Sequence, residues 1–171
     1  MDMIVYGFGR WFHIASGVMW VGLLWYFNFV QVPGLKAAGA DGTAAGITRH
    51  IAPRALELFR WSSVSTVFFG AMLLGKDLPN ALFFSAKPYY PIGVGAWLGI
   101  IMFLNVWGVI WPNQKKVLNL QQYATNPVSD EEKNKARRIA FLVSRLNAAL
   151  SIPMLFFMVA SGGLFRRTFF N

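Results

Sequence analysis

Four long apolar stretches, about Val5–Val32, Ala55–Leu74, Ile92–Trp111 and Ile139–Phe165, alternate with more polar segments along the 171-residue chain. Each is long enough to cross a bilayer as a helix, which takes about 20 mostly apolar residues. Between them lie a Gly/Ala-rich loop (Pro33–Ile47), a short loop with Pro79 and Pro88, and a polar stretch from Asn113 to Arg138. In that last stretch Ser129 reads as an N-cap with Glu132 at the third helical position, a capping box that starts a helix running into the fourth span. Pro153 predicts a kink there, because it removes a backbone donor and crowds the preceding turn. Gly93, Gly95 and Gly99 in the third span, with Ala96, predict close helix contacts through small residues. The pattern predicts an all-α, integral membrane four-helix bundle, with residues 1–171 forming a single transmembrane domain.

Composition agrees with that picture. Hydrophobic residues make up 56% of the chain and charged ones 13%, proportions of a membrane protein rather than a soluble domain. A net charge of +9 could suggest nucleic acid, but in so apolar a chain the positive-inside rule and contact with anionic lipid explain it better. The absence of cysteine excludes disulfides, thiolate metal sites, iron–sulfur ligation and covalent haem attachment of the C-x-x-C-H type. No basic segment or small-residue cleavage site precedes the first apolar run, which therefore reads as a retained span.

The cations are unevenly divided. The first and third loops with their flanks carry Lys36, Arg49, Arg54, Lys115, Lys116, Lys133, Lys135, Arg137 and Arg138, against Arg10, Lys76, Lys87, Arg166 and Arg167 on the other side. The heavier side is expected to be cytoplasmic, which places both termini outside and suits a bacterial inner membrane.

With this topology several polar residues share the inner half of the bilayer: Asn28 in the first span, Glu57 and Arg60 in the second, Asn105 in the third, Arg145 and Asn147 in the fourth. Glu57 and Arg60 stand three residues apart on one helix and can pair. The group reads either as a structural hydrogen-bonded layer or as a quinone or proton site around Glu57 and Arg145.

His13 stands apart from that group, in the outer half of the first span, with Gly17 one turn on along the same helix face. An ionisable residue within a span is a candidate functional site, and an imidazole beside a glycine could admit a flat macrocycle. His13 reads either as an axial ligand to the iron of a b-type haem or as a neutral imidazole hydrogen-bonded to a backbone carbonyl or a serine, with Ser65 and Ser161 as candidates. His50, the only other histidine, lies some 30 Å away along the membrane normal by helix rise and cannot share an iron with it in one chain. A second histidine ligand would have to come from another copy, His13 facing His13 across a two-fold axis.

The run Trp11-x-His13-Ile14-x-x-Gly17-x-x-Trp20-x-Gly22, the later Asn105-Val106-Trp107-x-x-Ile110-Trp111-Pro112-Asn113-Gln114-Lys115-Lys116, and Ser144-Arg145-x-Asn147-x-x-x-Ser151-x-Pro153-Met154 resemble the membrane portion of the urate oxidase N-terminal (urate hydroxylase) family. Members acting on urate are larger, with about twice the spans and a C-terminal cytochrome c domain. This chain resembles a short, four-span member without the C-x-x-C-H of that domain. A weaker likeness is to the four-helix membrane protoporphyrinogen oxidase, which places a haem-ligating histidine in its first span. Both resemblances imply haem b at His13.

Three functions are compatible with these residues. The first is a redox-associated membrane subunit that binds haem b through His13 and exchanges electrons with a larger membrane oxidoreductase, another copy of itself or a periplasmic cytochrome c. The second is a structural, non-catalytic accessory subunit, in which His13 only joins helices. The third is a urate hydroxylase-like enzyme. A single intramembrane Glu and no pair of broken helices argue against a channel or transporter.

Overall fold

A computed structural model describes residues 3–162. Four helices in it are long and apolar enough to cross a membrane: α1 (Met3–Ala40), α2 (Ala44–Leu82), α3 (Lys87–Thr125) and α4 (Asp130–Ala160). No strand occurs among the described residues, and the molecule is an all-α bundle. The end expected for the fourth span, with Gly163 and Phe165, lies outside the described residues, as do Arg166 and Arg167.

The helices run further than hydropathy alone implies. Pro33–Ala40, expected as loop, continues α1, and only Asp41–Thr43 separates it from α2. Proline lacks an N–H and its ring crowds the carbonyl four residues earlier, so it usually ends a helix. Here the helix widens instead. The amide of Val32, just before Pro33, donates to the carbonyl of Phe27, five residues back. Two more wide turns have the same cause: Ala52 before Pro53 donates to Ile47, and Trp111 before Pro112 donates to Val106. Such π-type turns are rare and collect at functional sites. All three lie toward the end of the bundle that carries Lys36, Arg137 and Arg138, termed the basic end below.

α4 begins as its sequence predicts. Ser129 Oγ accepts from the Glu132 amide at 3.2 Å, and Asp130, Glu131 and Glu132 occupy the first turn, where the helix dipole favours negative charge. The reciprocal half of the expected capping box is not made, because the Glu132 carboxylate takes a bond from Lys116 of α3 instead. α4 runs continuously through Pro153.

α1 packs most extensively on α2, and α3 on α4. In the second pair a Cβ at Gly95 would stand 3.3 Å from Met158 of α4. Gly93 instead meets the end of α2, its missing Cβ falling within 3 Å of the Ala81 carbonyl, whereas Gly99 faces open space. The expected glycine stripe thus serves two neighbours rather than one. The pairs are joined by side-chain hydrogen bonds, from Trp25 of α1 to Ser151 of α4 at 2.9 Å and from Trp107 of α3 to Ser63 of α2 at 3.3 Å. Trp20, Leu24, Phe59, Met102 and Val106 fill the centre, each 2% exposed or less. The outer face presents Val18, Phe29, Phe68, Leu104, Ile152 and Val159, a surface suited to hydrocarbon.

A buried polar contact joins α3 to α4. Asn147 is fully buried; it accepts from Asn105 Nδ2 at 2.8 Å and donates to the Met102 carbonyl at 2.9 Å. Replacing Asn147 by Leu strands the Asn105 amide. We expect a loss of about 0.6–1.7 kcal/mol, from the average to the maximum measured for hydrogen bonds between membrane helices. Unfolding in mixed micelles would measure it. The Asn105→Leu/Asn147→Leu double variant should be more stable than the sum of the single losses, and simple additivity would show that the two side chains do not act as a pair.

Candidate functional site

His13 is half-buried on α1, and its ring lies against α2. Its Nδ1 is 2.8 Å from the carbonyl oxygen of Thr66. A carbonyl can only accept, so Nδ1 carries the proton, and in the neutral ring the lone pair is on Nε2. No hydrogen-bond partner for Nε2 occurs among the described residues. The imidazole is thus fixed in one tautomer and one orientation by a main-chain atom of the neighbouring helix. Of the expected partners, neither serine is used: Ser161 turns its hydroxyl back to the Met158 carbonyl of its own helix.

The surrounding residues form a polar seam between α1 and α2. Thr66 Oγ1 donates to the Ser62 carbonyl at 2.7 Å and lies 3.1 Å from Ser16 Oγ; the Ser16 hydroxyl returns to the Phe12 carbonyl. Phe12 and Phe69 stack beside the imidazole with centroids 5.0 Å apart. Space for the ring is made by Gly70, where a Cβ would fall 2.9 Å from His13 Cε1 and 3.1 Å from Nδ1. Gly17, singled out from the sequence, has a different task. A Cβ there would lie 3.7 Å from the Thr66 methyl, an ordinary contact, so Gly17 faces Thr66 and does not clear the imidazole. Gly70 went unnoticed although it is the only glycine between Ala52 and Leu74, a signal open to the eye.

His50 is far from this seam. It is exposed in the wide turn Ile47–Ile51 at the basic end, 16 residues and about 24 Å of helix before Thr66. No cluster of three His, Cys, Asp or Glu side chains suited to a metal ion occurs among the described residues.

The inner polar residues separate into local contacts rather than one layer. Asn28 donates to Ser144 Oγ at 2.8 Å, and Asn105 bonds Asn147 as described. Glu57 and Arg60 pair at 3.5 Å, with the Glu57 side chain mostly exposed. The Arg60 guanidinium also lies 4.2 Å from the Trp111 ring centroid, with Trp61 and Trp107 within 6 Å. Arg145 is exposed and packs on Phe141 of its own helix. The structure therefore does not bring Glu57 and Arg145 together; each makes its described contacts within its own helix.

These features define a four-helix membrane bundle with one oriented imidazole in the half remote from the basic end. Over residues 64–165, more than half its length, the chain matches the family model described as urate oxidase N-terminal, and it belongs to that family. No curated protein and no solved structure matches it. The matched segment contains Thr66, Gly70, Asn105, Arg145 and Asn147, whereas His13, Gly17, Asn28, Glu57 and Arg60 precede it.

The two glycines of the seam give opposite expectations. Gly70→Ala forces a carbon into the imidazole and should cost about 1–3 kcal/mol, as overpacking does. Gly17→Ala should be within about 0.5 kcal/mol of wild type. Thermal unfolding in detergent distinguishes them, and equal losses would mean that the ring does not rest on Gly70.

Proposed function

We propose that this chain is a redox-associated membrane subunit that holds a b-type haem through His13 Nε2. The observation that carries the reading is the bond from His13 Nδ1–H to the Thr66 carbonyl. Metal-ligating histidines almost always donate their other N–H to a carbonyl or carboxylate, which fixes the ring and raises the basicity of the ligating nitrogen. The residues present fit such a group: His13 is oriented through Nδ1, and its Nε2, unpartnered among the described residues on the flank of α1, would hold the iron. A bound haem b would supply one-electron transfer. The chain's own residues orient and hold. Thr66 orients the ring through its carbonyl, and Gly70 lets α2 approach it. With His50 about 24 Å off by helix rise, a second histidine ligand would come from another copy of the chain.

The uneven cations support a basic end facing the cytoplasm, with His13 toward the outer side and within reach of a cytochrome c or a larger oxidoreductase. Family membership makes a urate hydroxylase-like reaction a further reading; oxidation of urate with added cytochrome c as acceptor is its direct assay. One observation favours a purely structural role, since the His13–Thr66 bond is itself a contact between helices.

An optical spectrum decides between them. Protein purified from haem-replete cells should show a b-type Soret and α band. His13→Ala and His13→Gln should lose it, whereas Thr66→Val, which keeps the main-chain carbonyl, should retain it. A folded, colourless wild type would overturn haem binding. An unchanged spectrum in His13→Gln together with a loosened assembly would establish the structural role.

A further inference from the structure

The basic end holds a cavity of about 680 Å³ walled by all four helices, within the ~300–1,000 Å³ typical of small-molecule sites. Its chemistry changes with depth. At the floor stands Asn28, 4% exposed. Its amide hydrogens are committed to the Leu24 carbonyl and Ser144 Oγ, both at 2.8 Å, while its Oδ1 is buried with no hydrogen-bond partner. One turn on, Gln31 Oε1 is buried and also lacks a partner. Because Leu24 offers only an acceptor, the Asn28 amide cannot be turned round to relieve this. Asn28 Oδ1 is thus a fixed acceptor awaiting a donor, with the unpartnered Gln31 amide beside it, and unpartnered buried acceptors are costly.

The middle of the cavity is aromatic. Phe27, Phe59 and Phe141 line it, the first two meeting edge to face at 5.5 Å. The rim is cationic: Lys36, Arg137 and Arg138 border the opening, and no carboxylate lines it among the described residues. Among the described residues Arg137 bonds Asn134 and pairs with no carboxylate, which leaves its charge uncompensated. From Asn28 to Lys36 is eight residues, about 12 Å of helix. The three wide turns before Pro33, Pro53 and Pro112 contribute Asn28, Thr48 and Ile110 to the wall.

We propose that this cavity binds a small aromatic carboxylate carrying a hydroxyl or N–H donor at the end remote from its carboxylate. The donor reaches Asn28 Oδ1, the ring lies among the three phenylalanines, and the carboxylate meets the rim cations. An acyl chain from the bilayer would fill the same walls but offers no donor and would leave Asn28 Oδ1 unpartnered. The site is independent of His13, which lies 15 residues and about 22 Å of helix from Asn28.

The probes are 3-(4-hydroxyphenyl)propionate and its deoxy analogue 3-phenylpropionate, titrated calorimetrically into the whole chain in nanodiscs. The hydroxylated compound should bind at least about tenfold more tightly, the factor expected from one satisfied buried acceptor. Asn28→Leu should cut that ratio. Arg137→Gln/Arg138→Gln should weaken both compounds about tenfold, with a shallower salt dependence. Equal affinity for the two compounds, which water at the floor would produce, overturns the proposal. So does binding of neither, or displacement of both by phosphatidylglycerol but not by a phosphatidylcholine bilayer, which would assign the cavity to lipid.

Discussion

Two apolar helices in hydrocarbon gain nothing from each other that lipid does not also offer, so particular hydrogen bonds and close approaches decide how they pair. Thr66 is where that constraint is met for α1 and α2. Its carbonyl accepts from His13, its hydroxyl lies beside Ser16, and its methyl faces Gly17. One residue thereby fixes the register of the two helices through three different atoms. The tautomer of His13 is a consequence of that docking. Holding the helices together and preparing a nitrogen lone pair are one bond seen from its two sides, so a structural and a ligating role for His13 are not physically opposed.

The other end of the bundle is organised by what proline withholds. Pro33, Pro53 and Pro112 would each be expected to stop a helix, yet each is absorbed by a wide turn in which the preceding amide reaches back five residues. A wide turn enlarges the helix locally and shifts the faces that follow it. Three of them lie near one end, and each contributes a residue to the wall of the cavity below the basic rim. At the opposite end, where α1 and α2 meet without such turns, glycines and hydroxyls allow close contact. The bundle is thus tight around His13 and open around Asn28 for reasons that can be assigned to individual residues.

Much of this was legible in the sequence. Four spans follow from hydropathy, the start of α4 from Ser129, and the Glu57–Arg60 pair from spacing alone. The helix ends were not, since a proline read locally says stop, and only the helix on either side reveals that the turn has widened. The Thr66 carbonyl was invisible for a different reason: every residue has one, and which carbonyl meets His13 depends on the register of α1 against α2. Gly17 was assigned the task of Gly70 because helix periodicity relates residues within one helix and cannot say which neighbour faces them. Asn28 and Ser144 were 116 residues apart in sequence, with nothing local to connect them.

The family match sharpens how the site is divided along the chain. It begins at residue 64, inside α2, and so takes in Thr66 and Gly70, the surface that receives the imidazole, while His13 itself comes from α1, ahead of the matched segment. The receiving surface is a main-chain oxygen and a missing side chain, both of which any donor group on α1 could use. What makes the position specific is therefore the residue that α1 presents there. An imidazole is the one side chain that can donate to that carbonyl through one ring atom and still offer a basic nitrogen on the other. A glutamine at position 13 could reach the carbonyl as well but would present only an amide oxygen beyond it, which packs helices and makes a poor ligand for iron.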